Sequence, residues 1–145
     1  MASMSIAEIE DLLAGPHQAV LSVSRIDRGP VAVTMSYLYR DSRFWMITPP
    51  ESFHGRLMKQ TGCATLTVHY EEYPNRSSRQ SYVMAEGSIE FTDDDPVPLL
   101  RALLAKDRGE ALAAEWTERM MATVAPVAVL TPRTLNGHTF SNRLD

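Results

Sequence analysis

Two short turns limit what this chain can fold into. Arg40-Asp-Ser-Arg43 separates an apolar stretch, residues 31–39, from a second one, residues 44–48. So short a link cannot carry a crossover between parallel strands, so the flanking stretches must pair antiparallel. The turn signals of Ile26-Asp-Arg-Gly-Pro30 do the same between residues 19–24 and 31–39. Along 31–39, Val31, Val33, Met35, Tyr37 and Tyr39 share one face, and Ala32, Thr34, Ser36 and Leu38 the other. Both faces are largely apolar, as in a strand inside a barrel or under a helix. Residues 64–70 alternate as a half-buried strand. Residues 81–91 read as a long strand in which Gly87 marks a bulge or a close backbone approach. Residues 125–130 supply a closing strand. The pattern predicts six strands, at 19–24, 31–39, 43–48, 64–70, 81–91 and 125–130.

Helices fall between and around them. Ser5-Ile-Ala-Glu8 is a capping box, followed by Ile6, Ile9, Leu12 and Leu13 on one face and a stop at Gly15-Pro16. Asp93-Asp-Asp-Pro96 opens a helix whose apolar stripe is Leu99, Leu100, Leu103 and Leu104. Gly109 separates it from a helix with Leu112, Trp116 and Met120 at four-residue spacing. Residues 71–79 read as a polar loop and residues 132–145 as a polar tail.

The 145 residues suit one domain, burying ~68–70% of the unfolded surface. A net charge of −4 with no basic block argues against nucleic acid as the main partner. No apolar run approaches the ~18 residues of a membrane span, and no basic-then-apolar leader opens the chain. The lone Cys63 reads as a small buried apolar residue and fits a reducing, cytoplasmic setting. Four scattered His and one Cys give no metal-ligand spacing. There is no Gly-rich phosphate loop, no nucleophile elbow and no evident Ser, His and acid set. Catalytic residues are therefore not assigned; if the chain is an enzyme, a cofactor carries the chemistry.

Residues 43–60 are the one concentration of candidate chemistry. A strand ends at Thr48, Pro49-Pro50 stop it, and a helix starts near Ser52 and ends before Gly62. Thr48, Ser52, His54, Arg56 and Lys59 thus gather at a strand end and the first turns of a helix. Unpaired amides and the positive end of the helix dipole favour an anion there, which points to a phosphate-bearing ligand. An ordinary strand-to-helix connection with a polar outer face accounts for the same residues.

The order of elements resembles the pyridoxamine-5′-phosphate-oxidase-like split-barrel family of flavin and deazaflavin oxidoreductases, from about residue 6 to residue 140. The small actinobacterial branch with coenzyme F-420-dependent enzymes is the nearest in pattern. The resemblance rests on Ala-Val-Leu-Ser-Val-Ser (19–24), Gly29-Pro30, Phe-Trp-Met-Ile-Thr (44–48), Tyr-Val-Met-Ala-Glu-Gly (82–87) and Glu-Trp-Thr-Glu-Arg-Met-Met (115–121). At the junction Thr48, Ser52 and Arg56 match the family pattern, while Phe53, His54 and Leu57 replace its Arg, Lys and Asn. The resemblance implies a mainly β, six-stranded antiparallel split β-barrel with flanking α-helices. It also implies a homodimer with FMN or coenzyme F-420 at the subunit interface. By that resemblance Thr34, Met35 and Ser36 line the ring, and Thr48, Ser52, His54, Arg56 and Lys59 hold the phosphate end. The implied activity is hydride transfer to or from a small organic substrate. The alternatives are a non-catalytic flavin, deazaflavin or haem binding protein of the same fold, or a barrel kept only for association.

Overall fold

Residues 1–74 and 77–143 are described by the structure, a computed structural model of the chain. In chain order the elements are β1 (Ala2–Ser3), α1 (Ile6–Ala14), β2 (Ala19–Arg25), β3 (Arg28–Met35), β4 (Leu38–Arg40) and β5 (Arg43–Ile47). There follow α2 (Phe53–Thr61), β6 (Cys63–Glu72), β7 (Ser77–Phe91), α3 (Pro96–Arg108), α4 (Glu110–Met120) and β8 (Val127–Arg143). The turn between β4 and β5 puts Asp41 and Ser42 at φ 54° and 58°, the backbone that lets a two-residue hairpin match the twist of its strands. Asp27, at φ 62°, does the same between β2 and β3.

Every strand pair is antiparallel, and the sheet runs β3-β2-β6-β7-β8-β5-β4 with β1 added to β8. The two ends of that order, β3 and β4, are consecutive in the chain, with only Ser36 and Tyr37 between them. The sheet therefore curls until its ends meet without pairing. This is an antiparallel split β-barrel with flanking α-helices.

Among the described residues the sheet has eight strands where six were expected. Residues 31–39 are not one strand: β3 ends at Met35, and β4 begins at Leu38 on the opposite end of the sheet. Tyr37 fixes the break, its ring fully buried and its hydroxyl donating to the Leu13 carbonyl at 3.1 Å. The expected polar tail is the second correction. β8 continues to Arg143 and pairs with β7 along its length, from Phe91↔Ala128 to Ser77↔Arg143. Much of the expected loop at 71–79 is likewise strand, β6 reaching Glu72 and β7 starting at Ser77. Asn75, Arg76, Leu144 and Asp145 lie outside the described residues. Cys63 is exposed, because Ala64, Leu66 and Val68 take the inward phase of β6.

The barrel interior is filled by inward residues of β2, β5, β6 and β7, such as Leu21, Phe44, Leu66 and Val83, and closed by Leu13 of α1 and Met58 of α2. A second cluster lies on the outer face of β5, where Trp45, Ile47 and Val127 meet Leu99 and Leu103 of α3. Gly87 sits at a register shift between β7 and β8, opposite Pro132. A Cβ there would overlap the Thr131 carbonyl and stand 2.8 Å from Pro132 Cα. Gly87→Ala is expected to force the two longest strands apart, at a cost of about 1–3 kcal/mol. A urea midpoint unchanged from the parent would show that the bulge absorbs the methyl.

Candidate functional site

The junction between β5 and α2 is built by alternation and by proline. Phe44, Met46 and Thr48 point inward, so Thr48 is buried although it is polar. Its amide donates to the Pro126 carbonyl at 3.2 Å, and Pro49 and Pro50 then end the ladder. Ser52, extended at φ −63° and ψ 162°, is the N-cap of α2. Its hydroxyl accepts from the Gly55 amide at 3.1 Å and donates to the Pro49 carbonyl at 2.6 Å. Gly55 permits this fold-back, since a Cβ there would collide with the Pro49 carbonyl and lie 2.8 Å from Ser52 Oγ.

His54 turns towards this knot. Its Nε2 is 2.7 Å from Thr48 Oγ1 and 3.4 Å from Ser52 Oγ. Nε2 is thus engaged in either tautomer, which leaves Nδ1 for a ligand. Burial holds the imidazole below the usual histidine range, so it is neutral at pH 7. Around it the α2 terminus offers the amides of Phe53 and His54, for which no backbone acceptor is found among the described residues.

Thr48, Ser52 and His54 are therefore brought together; Arg56 and Lys59 are not part of that knot. Both are exposed on the outer side of α2. Lys59 leans over the Phe91 ring at 5.5 Å, and no carboxylate lies within ion-pair distance of Arg56 among the described residues. Ser52 has its hydroxyl proton on Pro49, so its first task is to hold the turn. Of Thr34, Met35 and Ser36, Met35 points into the barrel, and Thr34 and Ser36 face outward, as strand alternation requires. Thr34 is exposed beside Val20 on the outer face of the sheet. Met35 belongs to the core and can offer a ligand only its backbone. Ser36 lines a cavity of 620 Å³ between the barrel and α3–α4, which Thr48, Ser52 and His54 do not line.

A cluster that sequence reasoning missed lies at the end of α3. The side chain of Lys106 is 8% exposed. Its ammonium donates to the carbonyls of His17 at 3.1 Å and Gly15 at 3.3 Å, and it lies 4.2 Å from the centre of the Tyr37 ring. Asp107 Oδ1 is 2.8 Å away, an ion pair by distance but off the line of a hydrogen bond, so its charge is offset while the oxygen keeps no hydrogen-bond partner. Burial, with the Asp107 charge second, pushes the Tyr37 hydroxyl well above its ordinary range. A faint signal existed: the chain has two lysines, Lys59 and Lys106, among its 14 basic residues. Where arginine is the default cation, a lysine marks a place for a compact three-donor head.

No helix among the described residues is long and apolar enough to cross a membrane. Among them, too, no group of three or more His, Cys, Asp or Glu is placed to hold a metal ion.

Neither a protein-family model nor a curated protein matches this chain. Solved structures do. The FAD and haem binding protein from Mycobacterium smegmatis superposes with a TM-score of 0.73 at 18% identity, over 97% of this chain and 74% of that one. The flavocytochrome Anf3 from Azotobacter vinelandii gives 0.72 at 15% identity, over 97% of this chain and 70% of the other. A FAD-binding protein from Mesorhizobium loti gives 0.68 at 16%, over 96% and 97%. At these identities the likeness is one of fold.

Proposed function

We propose that this protein binds a flavin-type cofactor, FMN or coenzyme F-420, with its phosphate end at the β5–α2 junction. Its activity would be hydride transfer to or from a small organic substrate. The observation that carries the reading is the His54 knot: an imidazole held by Thr48 over a capped helix start, with unpartnered amides beside it and Arg56 outside. That donor set fits a phosphate, since the amides and helix dipole favour the anion and His54 can take up a proton beside it. The likeness of fold to proteins named for binding FAD supports the same reading. When bound, a flavin-type ring supplies the hydride chemistry. This chain's residues would bind and orient it: His54 and the α2 amides at the phosphate, Thr34 and Ser36 near the ring.

The cofactor's affinity should rise as the pH falls from 8 towards about 6.5. Free His54 has its pKa lowered by burial, and a bound phosphate raises it, so binding takes up a proton. Below ~6 the phosphate monoester of FMN protonates and opposes the trend. His54→Gln should flatten the profile. A parent whose affinity does not change over that range would remove His54 from the phosphate site.

The assembly we propose is a homodimer. Thr34, Val20, Thr67, Met84 and Asn136 lie opposite one another in an uncharged row across β3, β2, β6, β7 and β8. Next to it Tyr82 packs against His138 at 5.4 Å and Phe140 at 6.2 Å. Val20, Met84 and Phe140 stay exposed on this face, and exposed apolar side chains grouped in this way mark a contact surface. Because Thr34 stands in the row, a second copy would complete the ring side of the site. Light scattering should give twice 16.2 kDa for the parent. Met84→Glu should give the monomer and lose the cofactor. A monomeric parent that still binds flavin would end the composite-site reading.

A non-catalytic carrier of the same cofactors, or of haem, is the second reading, favoured by the lack of an assigned acid–base pair at the knot. An absorbance spectrum of the purified protein separates a flavin band from a Soret band. Turnover with a reductant then separates enzyme from carrier.

A further inference from the structure

The cavity beneath α4 is shaped for a ligand. Leu112, Trp116 and Met120 share one face of α4 and stay 41%, 37% and 40% exposed, while Ala113 and Thr117 behind them are buried. The helix thus seats its small residues against the protein and holds Trp116 and Met120 over the 620 Å³ space. Ile47 of β5 and Leu100, Leu103 and Leu104 of α3 complete its apolar walls, and Ser36 and Gln18 are polar points on its barrel side. That volume and lining are those of a small-molecule pocket.

Charge narrows the ligand. Asp107 lines the cavity, but Lys106 offsets it at 2.8 Å. Arg108, also in the lining, has its guanidinium 5.1 Å from the centre of the Trp116 ring. No carboxylate lies within ion-pair distance of Arg108 among the described residues. One uncompensated cation therefore stands at the rim, over an aromatic ring, above an apolar floor. We propose that this cavity binds a planar aromatic anion, with its ring against Trp116 and the leucines and its anionic group on Arg108. As the substrate's place in an oxidoreductase this rests on the flavin reading above, because Ser36 would stand between cofactor ring and cavity. The binding of the anion itself does not rest on it.

The test uses two fluorescent probes on the full chain without added cofactor: anionic 8-anilinonaphthalene-1-sulfonate and uncharged N-phenyl-1-naphthylamine. Both should bind the parent. Arg108→Gln should weaken the anionic probe about three- to fivefold, as for a partly exposed charge contact, and leave the neutral probe unchanged. Leu104→Trp should fill the cavity and displace both; Met120→Trp should do the same from a half-exposed position, where the fold is less dependent on the side chain. The proposal is overturned if the parent binds neither probe, if Arg108→Gln keeps full affinity for the anionic one, or if Met120→Trp binds both like the parent. Flavin titration is run separately. An intact Arg108 effect with no flavin binding would sustain the cavity as an anion site and remove only its role beside a flavin.

Discussion

Lys106→Met should destabilise the protein by about 3–5 kcal/mol, the cost of removing one partner from a buried ion pair. The Lys106 side chain is 8% exposed and that of Asp107 15%, so the pair is largely withdrawn from water. Without Lys106 the Asp107 carboxylate loses its counter-charge, and the carbonyls of Gly15 and His17 lose a donor. Those carbonyls lie in the link between α1 and β2, so the variant should also loosen α1 from the barrel. Lys106→Met with Asp107→Leu removes both charges and should recover most of the loss, since apolar replacements of whole buried pairs are often neutral. Urea unfolding of the parent, single and double variants measures this. A single variant within about 1 kcal/mol of the parent, inside the range of exposed pairs, would mean that the ammonium is hydrated.

The second large effect concerns the anion site. Removing both side chains with His54→Ala and Arg56→Ala is expected to weaken flavin-type cofactor binding about ten- to hundredfold, corresponding to ~1.5–3 kcal/mol for hydrogen bonds to a charged group. Two residues apart on a helix, the side chains point about 200° from each other, so they grip different sides of a ligand or one of them does not touch it. The single variants tell which. His54 faces Thr48 and is half-buried, so its share should resist salt; Arg56 is exposed, so its share should fade at high ionic strength. His54→Lys restores a permanent charge and should bind at least as tightly as the parent. Fluorescence titration with FMN and with coenzyme F-420 reads the parent and all four variants. A double variant that binds both cofactors like the parent would place the phosphate elsewhere.

The antiparallel order was legible because hairpins are local: Asp27, Asp41 and Ser42 accept the turn backbone, and the flanking strands have no other way to pair. β8 was legible only to Leu130. Beyond it, Pro132, Asn136 and Gly137 are turn residues in any local reading. They sit in a strand because β7 supplies a partner for the whole length, and Pro132 is tolerated opposite Gly87 where the register already slips. At the candidate site the Thr48, Ser52 and His54 knot follows from strand phase and capping, both local. That Thr34 and Ser36 open onto different parts of the outer surface does not, since Ser36 meets a cavity only where α3 and α4 dock beside the end of β3. Lys106 was hidden for a similar reason. A helix end rich in Lys, Asp and Arg looks solvated until the link after α1 docks on it.

One more consequence follows from the place of β8. It fills the slot between β7 and β5 and also receives β1, so Ala2 meets Thr139 and Phe44 meets Leu130. During translation every other strand leaves the ribosome first and waits with that slot open. The barrel must then close through contacts very distant in sequence, which makes folding slow and late. Until then β5 and β7 each present a bare edge that the same strand from a neighbouring nascent chain can occupy, so strand exchange between copies is the misfolding route to watch when the protein is made at high concentration.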